Sequence, residues 1–131
     1  MALREPSSQP AIRVVMMPRD VNPQGTIFGG VLLSLMDQAA AVEAARQAPQ
    51  NRYVTVAFDR VEFHQPVHVG DVVSIWASAT RVGRTSITVH VEVQAQSRGQ
   101  TTQTTVTQGD VVMVAIDEAG KPVAVFGEGN R

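Results

Sequence analysis

One segment constrains this chain more than any other. Residues 31–48 are rich in Leu, Met and Ala, contain no Pro or Gly, and predict a single long helix closed by Pro49. After it the hydrophobic period changes from helical to alternating and does not change back. Residues 53–63, 71–82, 86–94 and 104–116 read as strands. The third is the cleanest, with Ile87, Val89, Val91 and Val93 on one face and Thr88, His90, Glu92 and Gln94 on the other. A β-branched run at 11–17 precedes the helix, separated from it by turn formers from Arg19 to Gly25. Gly109 and Asp110, inside the last strand, predict a β-bulge. One helix and five strands make a two-layer α+β domain, with the helix on one face of an antiparallel sheet. The expected organisation is a loose arm over residues 1–10, one domain over 11–126 and a frayed tail over 127–131.

Composition narrows the class. The 131 residues include no cysteine, which excludes disulfides, thiolate metal sites, iron–sulfur clusters and cysteine nucleophiles. A net charge of −1 gives no basic field to hold nucleic acid or an anionic membrane. No apolar run approaches the ~20 residues of a membrane span, and the start MALREPSSQP lacks a signal-peptide core, so a cytoplasmic protein is expected. Only 18% of residues are charged, against ~25% in an average soluble domain. Residues 111–116 are apolar at every position, as in a strand covered on both faces, and the edge strands carry few lysines. Burial of these surfaces between subunits resolves both problems, so an obligate oligomer is expected.

Within the helix, Asp37 falls in a stripe with Gly30, Leu33, Ala41, Ala44 and Ala48. The polar side is expected at Gln38, Glu43 and Arg46. A carboxylate among small apolar residues is costly unless hydrogen-bonded or functional. Asp37 therefore reads either as a structural contact to a strand or subunit, or as a general base or nucleophile in a dry crevice. At the helix start, Gly29 and Gly30 stand where a capping side chain would normally sit, leaving amides able to hold an anion or a developing oxyanion. Gly30 and Asp37 lie about two turns, or roughly 10 Å, apart. Between the second and third long strands, Gly83, Arg84, Thr85 and Ser86 read either as a phosphate-binding turn or as a type I′-like hairpin with a solvated Arg. Arg52, Arg60, Arg81 and Arg98 also fall at strand ends. His64, His68 and His90 lack the spacing of a zinc site and read as surface residues, while Tyr53 and Trp76 read as packing.

The run from Asn22 through Pro23, Gln24, Gly25, Thr26, Ile27, Phe28, Gly29 and Gly30, followed by Leu33, Met36 and Asp37, resembles the signature of hotdog-fold acyl-CoA thioesterases, the YciA-like and cytosolic acyl-CoA hydrolase group. Val54-Thr55-Val56, Phe63 with Pro66, Val69-Gly70-Asp71-Val72-Val73, the segment from Val82 to Ser86, and Val91-Glu92-Val93 match in the same order. The resemblance implies a long central helix wrapped by a five-stranded antiparallel sheet, paired into dimers and often assembled into a trimer of dimers. It implies hydrolysis of acyl-CoA to free acid and coenzyme A in fatty acid metabolism, with no metal and no resident cofactor. By the same resemblance Asp37 is the catalytic carboxylate, Gly29 or Gly30 polarises the carbonyl, Asn22 orients water or substrate from the partner subunit, and Thr55 lines the site. Gly83, Arg84, Thr85 and Ser86 would meet coenzyme A. A non-catalytic acyl-CoA binding or sensing hotdog protein is the alternative, and a hotdog dehydratase, which needs a site histidine, a third.

Overall fold

The change of hydrophobic period near residue 50 is where the chain turns from helix to sheet. The computed structural model describes residues 3–127, with strand β1 over Ile12–Val15, helix α1 over Gly29–Gln47, and strands β2 over Arg52–Phe63, β3 over Val72–Val82, β4 over Ser86–Gln96 and β5 over Thr104–Ile116. The five strands form one antiparallel sheet in the order β1-β3-β4-β5-β2, so β1 and β2 are its edges. α1 begins earlier than residue 31 because Gly29 and Gly30 are themselves helical. It ends at Gln47, and the Tyr53 hydroxyl donates to the carbonyl of the C-cap residue Ala48 at 2.8 Å.

α1 lays Leu32, Met36, Ala39, Ala40 and Ala44 on the inner face of the sheet, where Val73, Ile75, Val89, Val91, Val111 and Met113 are buried. The alternation in β4 is fully expressed, since Ile87, Val89, Val91 and Val93 have no exposed surface. Each contributes about 1.5–3 kcal/mol by leaving water. β5 alternates as well: Val111, Met113 and Ala115 are buried, while Val112, Val114 and Ile116 are half-covered on the outer face. Within one chain, then, the apolar run at 111–116 is covered on one face, and its outer side chains rest on cross-strand neighbours such as Ala57 and Val54.

The bulge expected at Gly109 and Asp110 lies elsewhere. Gly109 pairs regularly with Val91, and the irregularity in β5 falls at Val106. Opposite Gly109, β2 carries an extra residue between Asp59 and Glu62, and Arg60 adopts a φ of 56°, alone among the described non-glycine residues. Gly109 makes room for that bulge, because a Cβ there would lie 2.8 Å from Val61 Cγ2 and 3.1 Å from Val61 Cα.

One expectation about polarity needs correction. Glu43 is not on the solvent side of α1. It is 3% exposed, and its carboxylate accepts hydrogen bonds from Arg46 Nε at 2.7 Å, Gln47 Nε2 at 3.0 Å and the Ala79 amide at 3.1 Å. The last is the amide at the β3 bulge between Ala79 and Arg81, so Glu43 supplies the acceptor that the interrupted ladder lacks. The arm is also tied down. The Arg4 amide donates to Gln47 Oε1 at 2.7 Å, and Arg46 Nη2 donates to the Glu5 carbonyl at 2.8 Å. Of the expected tail, residues 128–131 lie outside the described residues.

Edge strand β2 runs for 12 residues and exposes Val54 (42%), Val56 (56%), Phe58 (39%) and Phe63 (52%). A long apolar edge of this kind is a template for another strand.

Candidate active site

Asp37 sits at the margin of the buried face of α1, half-exposed, where the helix meets β2. Thr55 points inward from β2, and its hydroxyl donates to Asp37 Oδ1. Met113 Sδ lies 3.3 Å from the same hydroxyl oxygen. A hydroxyl has one proton, and the carboxylate is the stronger acceptor, so that proton goes to Asp37. Asp37 Oδ2 has no hydrogen-bond partner among the described residues. The side chain is thus fixed by one oxygen and presents the other.

The start of α1 supplies donors. Phe28 offers no side-chain cap, and the first turn-closing bond is from the Val31 amide to the Phe28 carbonyl at 3.1 Å, leaving the Gly29 and Gly30 amides without a backbone acceptor among the described residues. The two glycines exist for different reasons. A Cβ on Gly29 would stand 3.3 Å from the Phe63 ring, whereas a Cβ on Gly30 would meet nothing within 4 Å. A mid-turn glycine costs a helix about 1 kcal/mol relative to Ala. At position 30 nothing in this chain demands that cost.

Asn22 anchors its own loop. Its Oδ1 accepts from the amides of Gln24 at 2.9 Å and Thr26 at 3.0 Å, and its Nδ2 donates to Thr26 Oγ1 at 2.8 Å. One Nδ2 proton is left over. The loop adjoins the helix start, since the Phe28 amide donates to the Asp20 carbonyl at 2.9 Å and the Ile27 amide to the Val67 carbonyl at 2.8 Å. Asn22 and the glycines therefore lie together, while no hydrogen bond joins Asn22 to Asp37 among the described residues.

Residues 83–86 lie on the Thr55 side of the sheet. Ile87 and Thr55 both pair with Met113, one on each side, so the hairpin starts two strand spacings, about 10 Å, across from Thr55. It is pinned through its carbonyls: Ser86 accepts from Gly83 at 2.8 Å, Thr85 from Ala115 at 2.9 Å and Arg84 from Val125 at 2.9 Å. It is not a type I′ turn, because neither Arg84 nor Thr85 has a positive φ. A Cβ at Gly83 would lie 2.9 Å from Ser86 Oγ, the end of a side chain that can turn away. Arg84 is exposed and lines a groove of about 690 Å³ with Gln50, Asn51, Arg52, Asp117 and Glu118, in which Arg52 Nη2 lies 3.9 Å from Glu118 Oε1; of the four strand-end arginines only Arg52 lines it.

The family model of the thioesterase superfamily matches residues 24–102, which include Asp37, Thr55 and the 83–86 hairpin. The chain belongs to the thioesterase superfamily. A relative in Zymomonas mobilis named an uncharacterized acyl-CoA thioester hydrolase is 44% identical over 92% of this chain and 80% of its own length. Among solved structures, a hexameric broad specificity acyl-coenzyme A thioesterase superposes with a TM-score of 0.86 at 34% identity, covering 95% of this chain and 91% of its own. A hexameric hotdog fold thioesterase of Campylobacter jejuni gives 0.81 at 40% identity, with 89% and 91% covered. The expected architecture, a central helix on a five-stranded antiparallel sheet in a hotdog fold, is the one observed.

Sequence reasoning missed two features of this region. His64, read as a surface residue, is exposed, and it also lines an apolar groove with Gly29, Leu32 and Phe63. Glu43, read as solvating, is a buried hub. Its ionisation is opposed by burial, but hydrogen bonds from Arg46, Gln47 and the Ala79 amide, together with the Arg46 charge, outweigh that and hold its pKa below the ordinary carboxylate value. Its oxygens are engaged in structure, whereas Asp37 Oδ2 accepts no hydrogen bond among the described residues. Among the described residues no group of three or more His, Asp and Glu side chains is placed to hold a metal, and no helix is long and apolar enough to cross a membrane.

Proposed function

We propose that this chain is an acyl-CoA thioesterase, hydrolysing acyl-CoA to a free carboxylic acid and coenzyme A. The observation that carries the reading is Asp37, fixed through one oxygen by Thr55 with the other oxygen free, in a chain of the thioesterase superfamily. Asp37 takes a proton from water as the water oxygen attacks the thioester carbonyl carbon. The negative charge that develops on the carbonyl oxygen is met by the amides of Gly29 and Gly30, an electrostatic contribution commonly worth about 100-fold or more. Collapse of the tetrahedral species breaks the carbon–sulfur bond, and the leaving thiolate recovers the proton from Asp37. The step uses water, thioester and this chain's residues, and calls for no resident cofactor.

Gly30 and Asp37 of one helix are roughly 10 Å apart, too far to serve one carbonyl at the ~3–3.5 Å of a reacting geometry. Two chains related by a two-fold axis remove the difficulty. Asn22, Gly29 and Gly30 of one chain then face the partner subunit's Asp37 and Thr55, with the spare Asn22 Nδ2 proton directed at water or substrate. The exposed apolar edge of β2 supports a dimer formed strand to strand, and the hexameric relatives support a trimer of such dimers. The 83–86 hairpin, with Arg84 and its neighbour Arg52, is the proposed seat of the coenzyme A phosphates. Because acyl-CoA is an intracellular metabolite, the proposed place of action is the cytoplasm.

The test is thiol release from short, medium, long and aromatic acyl-CoAs by the wild type and by Asp37→Asn, with the oligomer checked by light scattering. Turnover by the wild type that drops at least ~100-fold in an intact Asp37→Asn oligomer supports the reading. Undiminished turnover in that variant contradicts the mechanism, and saturable acyl-CoA binding without hydrolysis by the wild type establishes the binding-protein alternative instead.

A further inference from the structure

At the end of the sheet opposite the 83–86 hairpin, the turn after β2 and the hairpin joining β4 to β5 enclose a groove of about 230 Å³ that the chemistry above does not use. Asp71, the residue before β3, lies at its base. It has the parity of Val73 and Ile75, which are fully buried on the inner face, and its side chain is only 7% exposed. One of its oxygens holds the turn: Oδ2 accepts from the His68 amide at 3.0 Å, and the His68 ring stands 4.0 Å from the same atom. Oδ1 has no hydrogen-bond partner among the described residues, and no Arg or Lys lines the groove. A nearly buried carboxylate with one oxygen unpaired is costly unless a guest supplies the missing donor.

We propose that this groove binds a small primary alkylammonium ion, held at Asp71 Oδ1. The exposed rim supplies the remaining contacts. Ser97, Thr102 and Thr104 bring hydroxyls and Gln65 and Gln100 bring amides, and none of these five side chains makes a hydrogen bond to another described residue. All five can accept an N–H, and the carboxylate is the one charged group lining the groove, so the matching guest is donor-rich and carries one positive charge. The geometry of Asp71 selects among such cations. A guanidinium pairs best as a fork across both carboxylate oxygens, and Oδ2 is already committed to His68. A primary ammonium is a compact charge with three donors, one for Oδ1 and two for neutral oxygens of the rim. The space equals that of about seven waters, room for the ammonium and a short stem, and buried Ala95 and Val106 give the stem an apolar wall. The site uses neither Asp37 nor Thr55 and does not rest on the thioesterase reading.

Isothermal titration of the full chain in its native assembly with n-butylammonium, guanidinium, tetramethylammonium and potassium chlorides tests the inference. Butylammonium is expected to bind saturably and at least ~10-fold more tightly than the other three cations. Asp71→Asn keeps an oxygen for the His68 amide and removes the charge, and it is expected to weaken butylammonium at least ~10-fold. Thr104→Val removes one neutral acceptor from the rim and is expected to weaken it about 3-fold, while Asp37→Asn binds as the wild type does. The ion series and Thr104→Val carry the test even where Asp71→Asn does not assemble. No saturable binding by the wild type, equal affinity in Asp71→Asn, or tetramethylammonium, which has the charge and no N–H, binding as tightly as butylammonium would each overturn the proposal.

Discussion

Thr55 donates its hydroxyl proton to Asp37 across the seam between β2 and α1, joining two residues 18 positions apart in the chain. The bond fixes one carboxylate oxygen and so aims the other. Thr55→Val keeps the shape and removes the donor. It is expected to lower kcat by about 10- to 100-fold with little change in Tm, whereas Thr55→Ser, which retains the hydroxyl, recovers most of the rate. Steady-state kinetics of the two variants on one acyl-CoA check this.

Gly30→Ala separates folding from chemistry. A methyl at this position meets nothing in the chain and improves the helix, so chemical denaturation is expected to show a gain of about 0.5–1 kcal/mol in the local helix contribution. Thioester hydrolysis is expected to fall at least ~10-fold as the methyl crowds the oxyanion donors. A variant that is both more stable and fully active would show that the open face at residue 30 is not used.

Glu43 governs acid stability. Its pKa in the fold lies below the ordinary carboxylate value, so the fold binds this proton less readily than the unfolded chain does. The stability it supplies is therefore fully present above about pH 4.5 and is lost as the pH falls through its lowered folded value. Glu43→Ala is expected to cost about 3 kcal/mol at neutral pH, because it strips acceptors from Arg46, Gln47 and the Ala79 amide, and to flatten the acid limb of a Tm-against-pH curve.

Val56, the most exposed of the large apolar residues on edge strand β2, tests the assembly. Val56→Lys places like charges across a two-fold strand pairing, and sedimentation is expected to show loss of the oligomer together with loss of activity.

Much of this architecture was legible in the sequence because the signals were periodic. The helix from 31, the alternation in β4 and the bounds of β5 follow from patterns that repeat, and Asp37 stood out against a stripe of small residues. What could not be read depended on partners distant in the chain. A helical wheel puts Glu43 toward solvent because it registers identity and not the Ala79 amide that a β3 bulge frees on another element. A strand glycine such as Gly109 does not reveal whether it kinks its own chain or yields to Arg60 and Val61 on the neighbouring strand. The groove that exposed His64 shares with Gly29 depends on the turn after β2, which local spacing does not show. The resemblance implies only that Thr55 lines the site, and its bond to Asp37 is visible in the fold alone.

The central claim is that each active site joins Asn22 of one subunit to Asp37 of another, and subunit complementation tests it directly. Asn22→Ala and Asp37→Ala proteins, each inactive alone, are unfolded together and refolded as a mixture. Half of randomly formed dimers are mixed, and each of those regains one intact site of two, so activity should recover to about one quarter of the wild-type value. A mixture as inactive as its parents, with mixed oligomers demonstrated by mass spectrometry, would contradict the account and confine the site to one chain.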